Sequence, residues 1–220
     1  MYRYSPIKFN DNLFVMGGIR IGTLHDFRNT EHKAGVADPK EGTKKVSHHI
    51  DYLHIKDSSD TSRSNKKDVD SLSAFNAISL GENCKNITIS NGSFSKIFNE
   101  PDVFILCVSK YLSKETMNQF EGSDSCVKIT NESSFFQLIS ETLNSITPVV
   151  FHGVHEVIYQ DREELWDGSS WGRHPSMIKE KEFIPQGELR AIWQPKSSVD
   201  IKPIILGNYR IGACVSHVAI

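Results

Sequence analysis

From Gly187 to Trp193 the chain alternates: Leu189, Ala191 and Trp193 fall on one side of an extended strand, Glu188, Arg190 and Ile192 on the other. The pattern requires a strand and sorts its side chains. An acid and an arginine two residues apart on one face of an otherwise apolar strand leave two arrangements open. Either this is the solvent face of an edge strand, with the charges loosely paired, or it is buried. Buried charges must pair or act on something.

A chain of 220 residues is long enough to bury a sizeable core around such a strand, and it reads as a single domain, 1–220. Val103 to Val108 is the strongest apolar run and predicts a central strand covered on both faces. Tyr2-Arg3-Tyr4 predicts a short opening strand. Ser5-Pro6 then reads as an N-cap and first helical residue, Phe9, Leu13 and Met16 recur at helical spacing, and Gly17-Gly18 supplies the stop. Ile19 to Thr23 predicts a second strand, Leu24 to Lys33 a short polar helix, and Ala34 to Thr43 a loop.

Val46, His48, Ile50, Tyr52 and His54 alternate along a further strand, so His48 and His49 face opposite sides and cannot chelate together. Asp57 to Ser71 is polar and of low complexity, and predicts a mobile loop (57–71). Cys126 to Ile129 reads as a strand, and Asn131 caps a helix carrying Phe135, Phe136, Ile139, Leu143 and Ile146. Val149 to Phe151 and Val154 to Tyr159 continue the sheet, with Gly153 a bulge. Leu165 to Pro175 is loop, a short helix starts at Ser176, and Ile201–Leu206 and Ile211–Val218 close the chain as strands. The sum is an α+β fold, a strand-rich mixed domain with a few short helices.

A net charge of −2 gives no electrostatic pull toward nucleic acid. No run reaches the length of a membrane span, and Met1 to Pro6 has no apolar core for a signal peptide, so a cytoplasmic protein without a membrane partner is expected. Cys84, Cys107, Cys126 and Cys214 show no CxxC spacing, which argues for reduced thiols and against a zinc site. There is no Gly-rich phosphate loop, GxSxG or HExxH.

What remains is a set of three. Arg3 can clamp a phosphate or ribose, the backbone at Gly22-Thr23 can grip a planar carboxamide, and Glu188 can orient a ribose hydroxyl and stabilise an oxocarbenium-like centre. These are the needs of nicotinamide–ribose bond cleavage. Two other readings stay open: a non-enzymatic binding module with Glu188–Arg190 as a structural ion pair, and a metal-assisted hydrolase or nuclease using Glu188 with Glu41 or Asp38.

Tyr2-Arg3-Tyr4, Gly18-Ile19-Arg20-Ile21-Gly22-Thr23-Leu24, Phe27-Arg28, Asp38-Pro39 and Glu41-Gly42-Thr43 resemble a widespread family of bacterial and phage proteins close to the DUF2971 group. Lys181, Phe183, Glu188 and Arg190 match its late lysine, aromatic and Glu-x-Arg. More distantly the layout is similar to the ADP-ribosyltransferase superfamily, which implies a split, strand-rich sheet around NAD⁺. The resemblance implies that Arg3 contacts the NAD⁺ ribose or phosphate, Gly22 and Thr23 line the nicotinamide pocket with Arg190 nearby, and Glu188 is the catalytic carboxylate. Gln186 stands two residues before it. NAD⁺ would be the substrate and a protein or nucleic acid the target. A toxin or phage-defence role, with an antitoxin or inhibitor protein as a further partner, belongs to the same expectation.

Overall fold

A computed structural model describes residues 1–29, 34–57, 66–79, 81 and 84–220. In chain order the first elements are β1 (Tyr2–Ser5), α1 (Ile7–Met16), β2 (Gly18–Thr23), β3 (Thr43–Asp57), α2 (Lys66–Ala74), β4 (Lys85–Asn99) and β5 (Phe104–Ser109). Then come α3 (Lys114–Asn118), β6 (Ser125–Ile129), α4 (Glu132–Asn144), β7 (Val149–Glu156), β8 (Ile158–Tyr159) and β9 (Glu163–Leu165). β10 (Ile178–Lys179), β11 (Glu188–Pro195), β12 (Ile204–Gly207), α5 (Tyr209–Gly212) and β13 (Val215–Val218) complete the chain. The fold is mixed α+β and strand-rich, with several sheets and short helices. The elements gather in two compact units, where the sequence reads as one domain. Met1–Gly42, Glu100–Asp161 and Ser176–Ile220 form the first unit; Thr43–Asn99 and Arg162–Pro175 form the second.

The first unit is built on β5, the apolar run. On one edge β5 pairs with β11, from Phe104 opposite Trp193 to Ser109 opposite Glu188. Its other edge is shared: β2 pairs at Phe104 and Ile105, and β1 pairs at Ser109. Between those contacts Leu106, Cys107 and Val108 have no ladder partner on that edge among the described residues, so the sheet opens there. The remaining strands extend it as β12-β2 on one branch and β1-β6-β13 on the other, while β7 flanks β11. The main core lies on the α4 side and holds Leu106, Val108, Phe135, Ile139, Ala191 and Trp193. A smaller cluster of Leu24, Ile105 and Ile192 covers the opposite side of β5.

Local signals are met in several places. Asn131 accepts from the Ser134 amide and starts α4. The bulge falls where Ile192 faces Gly153 and Trp193 faces Phe151, with Gly153 at φ +99°. Gly17 ends α1 in the left-handed region, at φ +65°. A Cβ on Gly17 would lie 1.7 Å from the carbonyl oxygen of Asn208. Gly17→Ala is therefore expected to cost about 2 kcal/mol or more, from left-handed strain plus a backbone clash, measured as a shift in urea midpoint.

Other expectations are corrected. α1 begins after Pro6 with no side-chain cap from Ser5; instead Asp124 Oδ1 accepts from the Ile7 amide. Its buried residues are Asn10 and Leu13, whereas Phe9 and Met16 are exposed. The 24–33 segment contains a 3-10 turn, Asp26–Arg28, and residues 30–33 lie outside the described ones. Ile211 lies in α5 and not in a strand. The 57–71 loop is helical from Lys66 onward: Ser71 and Leu72 of α2 are buried, and residues 58–65 lie outside the described ones.

In the second unit β3 pairs with β4 along its length and with β9 in parallel. Ile50, Leu53, Ile55 and Leu72 form its core. The alternation of β3 changes phase after Ile50, so that Tyr52 is exposed and Leu53 and Ile55 are buried. The change falls beside Asn91, which takes a φ of 53°. His48 faces inward against Asp68, at 2.7 Å, while His49 is exposed.

Candidate functional site

β11 is hydrogen-bonded on both edges, to β5 and β7, so it is not an edge strand. Leu189, Ala191 and Trp193 face the main core as the alternation requires. The opposite face carries Glu188 and Arg190, which are 4% and 1% exposed. The solvent-face arrangement is therefore overturned: flanking strands and the segment before β11 close over both charges.

Arg190 is the hub. Its Nε donates to Glu188 Oε1 at 2.5 Å, while Nη1 and Nη2 form a forked pair with Glu41 at 2.8 and 2.7 Å. Nη1 also donates to the Ser176 carbonyl. The second oxygen of Glu188 accepts from Lys179 Nζ at 2.6 Å, and Lys179 also donates to Gln186 Oε1 at 2.8 Å. Two acids and two bases thus neutralise one another in a buried chain, Glu41–Arg190–Glu188–Lys179. Forked, charge-assisted bonds of this kind are the strong ones.

Local folding explains who arrives. β10 pairs in parallel with β8, with Lys179 opposite Tyr159. This two-residue ladder delivers the lysine to Glu188, and the Tyr159 hydroxyl accepts from the Glu188 amide at 2.7 Å. Glu41 comes from a turn: its amide donates to the Asp38 carbonyl, and the Glu41 carbonyl accepts from Arg28 Nε.

Burial acts against the charge of Glu188, but Arg190 and then Lys179 outweigh it and hold its carboxyl well below the usual range. Desolvation acts to lower Arg190, but Glu188 first and Glu41 next outweigh it and hold the guanidinium well above its ordinary value. Burial, reinforced by Glu188, raises the Cys107 thiol well above its ordinary value, so it is not a ready thiolate. Burial pushes Tyr159 up to about 12.

A carboxyl depressed on folding contributes stability that is fully present above its unfolded value, about 4.3. That contribution is lost as pH falls through the lower folded value. Urea midpoints are expected to decline from pH 5 toward pH 3, and Glu188→Gln is expected to flatten that slope. An unchanged slope in the variant would contradict the assignment.

The chain of charges lines a cleft of about 80 Å³, room for several waters or one planar ring. Tyr2, Tyr4, Phe27 and Phe120 contribute aromatic faces, and Cys107, Ser109 and Gln186 border the charged floor. Cys107 and Val108 belong to the stretch of β5 where the sheet opens. Gln186 Nε2 donates to the Gly35 carbonyl and ties the Gly35–Val36 rim to the floor.

The expected set of three is not brought together. Arg3 lies on the face of β1 opposite Tyr2 and Tyr4, and its Nη1 donates to Ser5 Oγ at 2.9 Å and Asn10 Oδ1 at 2.5 Å beneath α1. Strand alternation turns it away from Glu188, and burial lowers its pKa. Thr23 is buried, with Oγ1 accepting from the Asp26 amide, so it caps the following turn. A Cβ on Gly22 would meet the Phe27 ring at 2.9 Å, so glycine lets that wall residue sit close. Lys181 points to Asp161 and is exposed. Lys179, missed in the sequence, takes the inner position; only its separation of nine residues from Glu188 links the two, and no motif marks that.

Of the carboxylates considered for a metal-assisted reaction (Glu188 with Glu41 or Asp38), Glu188 and Glu41 both bond to Arg190, which stands between them. A donor set already neutralised by Arg190 and Lys179 does not suit a dication. Among the described residues no group of three or more His, Cys, Asp or Glu is placed to hold a metal ion. No helix among them is long and apolar enough to cross a membrane. No protein-family model, curated protein or solved structure matches the chain.

Proposed function

We propose that the chain is an NAD⁺-dependent ADP-ribosyltransferase acting on a macromolecular target, with the cleft above Glu188 as its reaction site. The observation that carries this reading is an ionised carboxylate on the floor of an aromatic-walled cleft. The nicotinamide ring of NAD⁺ is planar and cationic, and aromatic faces attract such a ring. When its bond to ribose breaks, the bonding pair leaves with nicotinamide and positive charge develops on the sugar. An anion already fixed by Arg190 and Lys179 meets that charge without reorganising. A carboxylate has about four acceptor sites. Arg190 and Lys179 occupy one on each oxygen of Glu188, which leaves acceptor capacity for a ribose hydroxyl. The target nucleophile then bonds to the ribose carbon and gives its proton to solvent.

The cleft suits the ring and not the whole dinucleotide, so the pyrophosphate would lie outside it. Arg3 has no part in this version of the site. A cytoplasmic toxin or phage-defence effector, with a protein or nucleic acid as target and an inhibitor protein as partner, is the biological setting proposed.

One observation favours a second reading. The four charges satisfy one another internally, as they would in a non-enzymatic binding module whose ion network is purely structural. The deciding experiment is release of nicotinamide from NAD⁺ by the purified protein, alone and with cell extract or RNA. Release that appears only with one class of macromolecule supports transfer and names the target class. No release under any condition, with no shift in melting temperature by NAD⁺, leaves the binding-module reading.

A further inference from the structure

The rim of the cleft is fastened unevenly. Residues 34–42 turn without forming a helix or a strand. At one end Asp38 and Glu41 are 3% and 2% exposed: the Asp38 amide donates to the Phe27 carbonyl, and Glu41 holds Arg190 through the forked pair. The other end is held more lightly. The Glu121 amide donates to the Ala34 carbonyl at 3.2 Å and the Ala34 amide to Glu121 Oε2 at 3.4 Å, both residues being exposed. Gln186 Nε2 donates to the Gly35 carbonyl at 2.9 Å. Buried, charged contacts give way less readily than exposed or single neutral ones. The segment therefore has a root at Asp38–Glu41 and a tip, Ala34–Ala37, that can lift from it.

We propose that Ala34–Ala37 is a lid on the cleft and that Gln186 is its latch. Gly35 and Val36 of the tip line the cleft directly. Gly35 is fitted to the seated position: its φ is +84°, and a Cβ there would lie 1.7 Å from the Gln119 carbonyl oxygen. Only glycine lets the tip settle so close. Gln186, almost fully buried, joins the tip to the charges, because its Oε1 accepts from the same Lys179 ammonium that holds Glu188. Seating of the lid and placement of the carboxylate are thus linked through one amide. With the tip down the cleft keeps about 80 Å³, room for a planar ring; with the tip raised, a ring carrying its ribose can enter. That the ring is nicotinamide rests on the function proposed above; the lid rests on the contacts alone.

The test is the labelling rate of Cys107, which borders the same cleft, by a fluorescein maleimide too bulky for the closed space. The full chain is labelled at one pH, and labelled peptides are separated by mass spectrometry. The wild type is expected to label far more slowly than the urea-unfolded chain. Below the unfolding transition its rate should barely depend on urea, because lifting the tip exposes little surface. Gly35→Ala cannot seat against Gln119 and is expected to label at least about tenfold faster, the scale of left-handed strain on a residue with a Cβ. Gln186→Leu removes the latch and is expected to label about fivefold faster, the effect of one hydrogen bond. The same flat urea dependence in both variants separates lid opening from lost stability. A wild-type rate that climbs with urea as steeply as global unfolding, or that equals the unfolded chain's, overturns the lid. A Gly35→Ala rate equal to the wild type's does the same, and an unchanged rate in Gln186→Leu overturns the latch. NAD⁺ in excess is expected to slow labelling of the wild type. Faster labelling in Gly35→Ala with no effect of NAD⁺ supports the lid and contradicts only the NAD⁺ reading.

Discussion

Arg190→Met is expected to lower stability by about 3–5 kcal/mol, the range for breaking a buried ion pair by removing one partner. The substitution removes the guanidinium from Glu41 and Glu188 in a region where both are almost fully buried, leaving Glu188 with the Lys179 ammonium and Glu41 with the Gly42 amide among its remaining contacts. Either two carboxylates remain charged side by side, or at least one takes up a proton; both cost stability. For a chain of this length the melting temperature should fall by about 10 °C. Arg190→Lys is expected to recover part of the loss, because a point charge replaces the forked contact to Glu41. Changing Glu41, Glu188, Arg190 and Lys179 together to uncharged residues of similar size should recover most of it, since the penalty lies in the unpaired charge. If Arg190→Met melts like the wild type, the network does not hold this region together.

Glu188→Gln is expected to reduce NAD⁺ cleavage by about a hundredfold to a thousandfold, the usual effect of removing one preorganised electrostatic group. Glutamine keeps the shape and one acceptor oxygen for Arg190 Nε. Its amide nitrogen then faces the Lys179 ammonium, donor against donor, so a stability loss of about 1–3 kcal/mol accompanies the change. Stability and turnover are thus separable: the variant should be folded at 25 °C yet nearly inactive. Arg3→Ala is expected to leave turnover unchanged, because Arg3 points to Asn10 on the far face of β1.

The parts of this fold that were readable from sequence are those set by neighbouring residues. The alternation in β11, the apolar run of β5, the Asn131 cap and the Gly17 stop all depend on a few adjacent positions, and each appears in the structure. Periodicity failed at α1, where it grouped Phe9, Leu13 and Met16 onto one covered face. Spacing tells which residues share a side, but the sheet beneath decides which side is covered, and it covers Asn10 and Leu13. The polar stretch Asp57 to Ser71 reads as a loop because Val69 is its one apolar residue, yet Val69 and Leu72 suffice to dock α2.

The site was legible as a face and not as a set of partners. Glu188 and Arg190 were visible because strand geometry puts them together. Glu41 lies 149 residues from Arg190 in sequence. Lys179 sits on a two-residue ladder with too little pattern to read. The same β1 alternation that sends Tyr2 and Tyr4 into the cleft sends Arg3 away from it, so the opening strand contributes aromatic walls in place of the expected clamp.

The most direct test of the central claim is the rate of nicotinamide release from NAD⁺ by the wild type and by Glu188→Gln, at a temperature where both are folded. The account predicts release by the wild type, with or without an added macromolecule, and a rate at least about a hundredfold lower in the variant. Equal rates, or no release from either protein while Glu188→Gln lowers the melting temperature and NAD⁺ shifts neither, would contradict it.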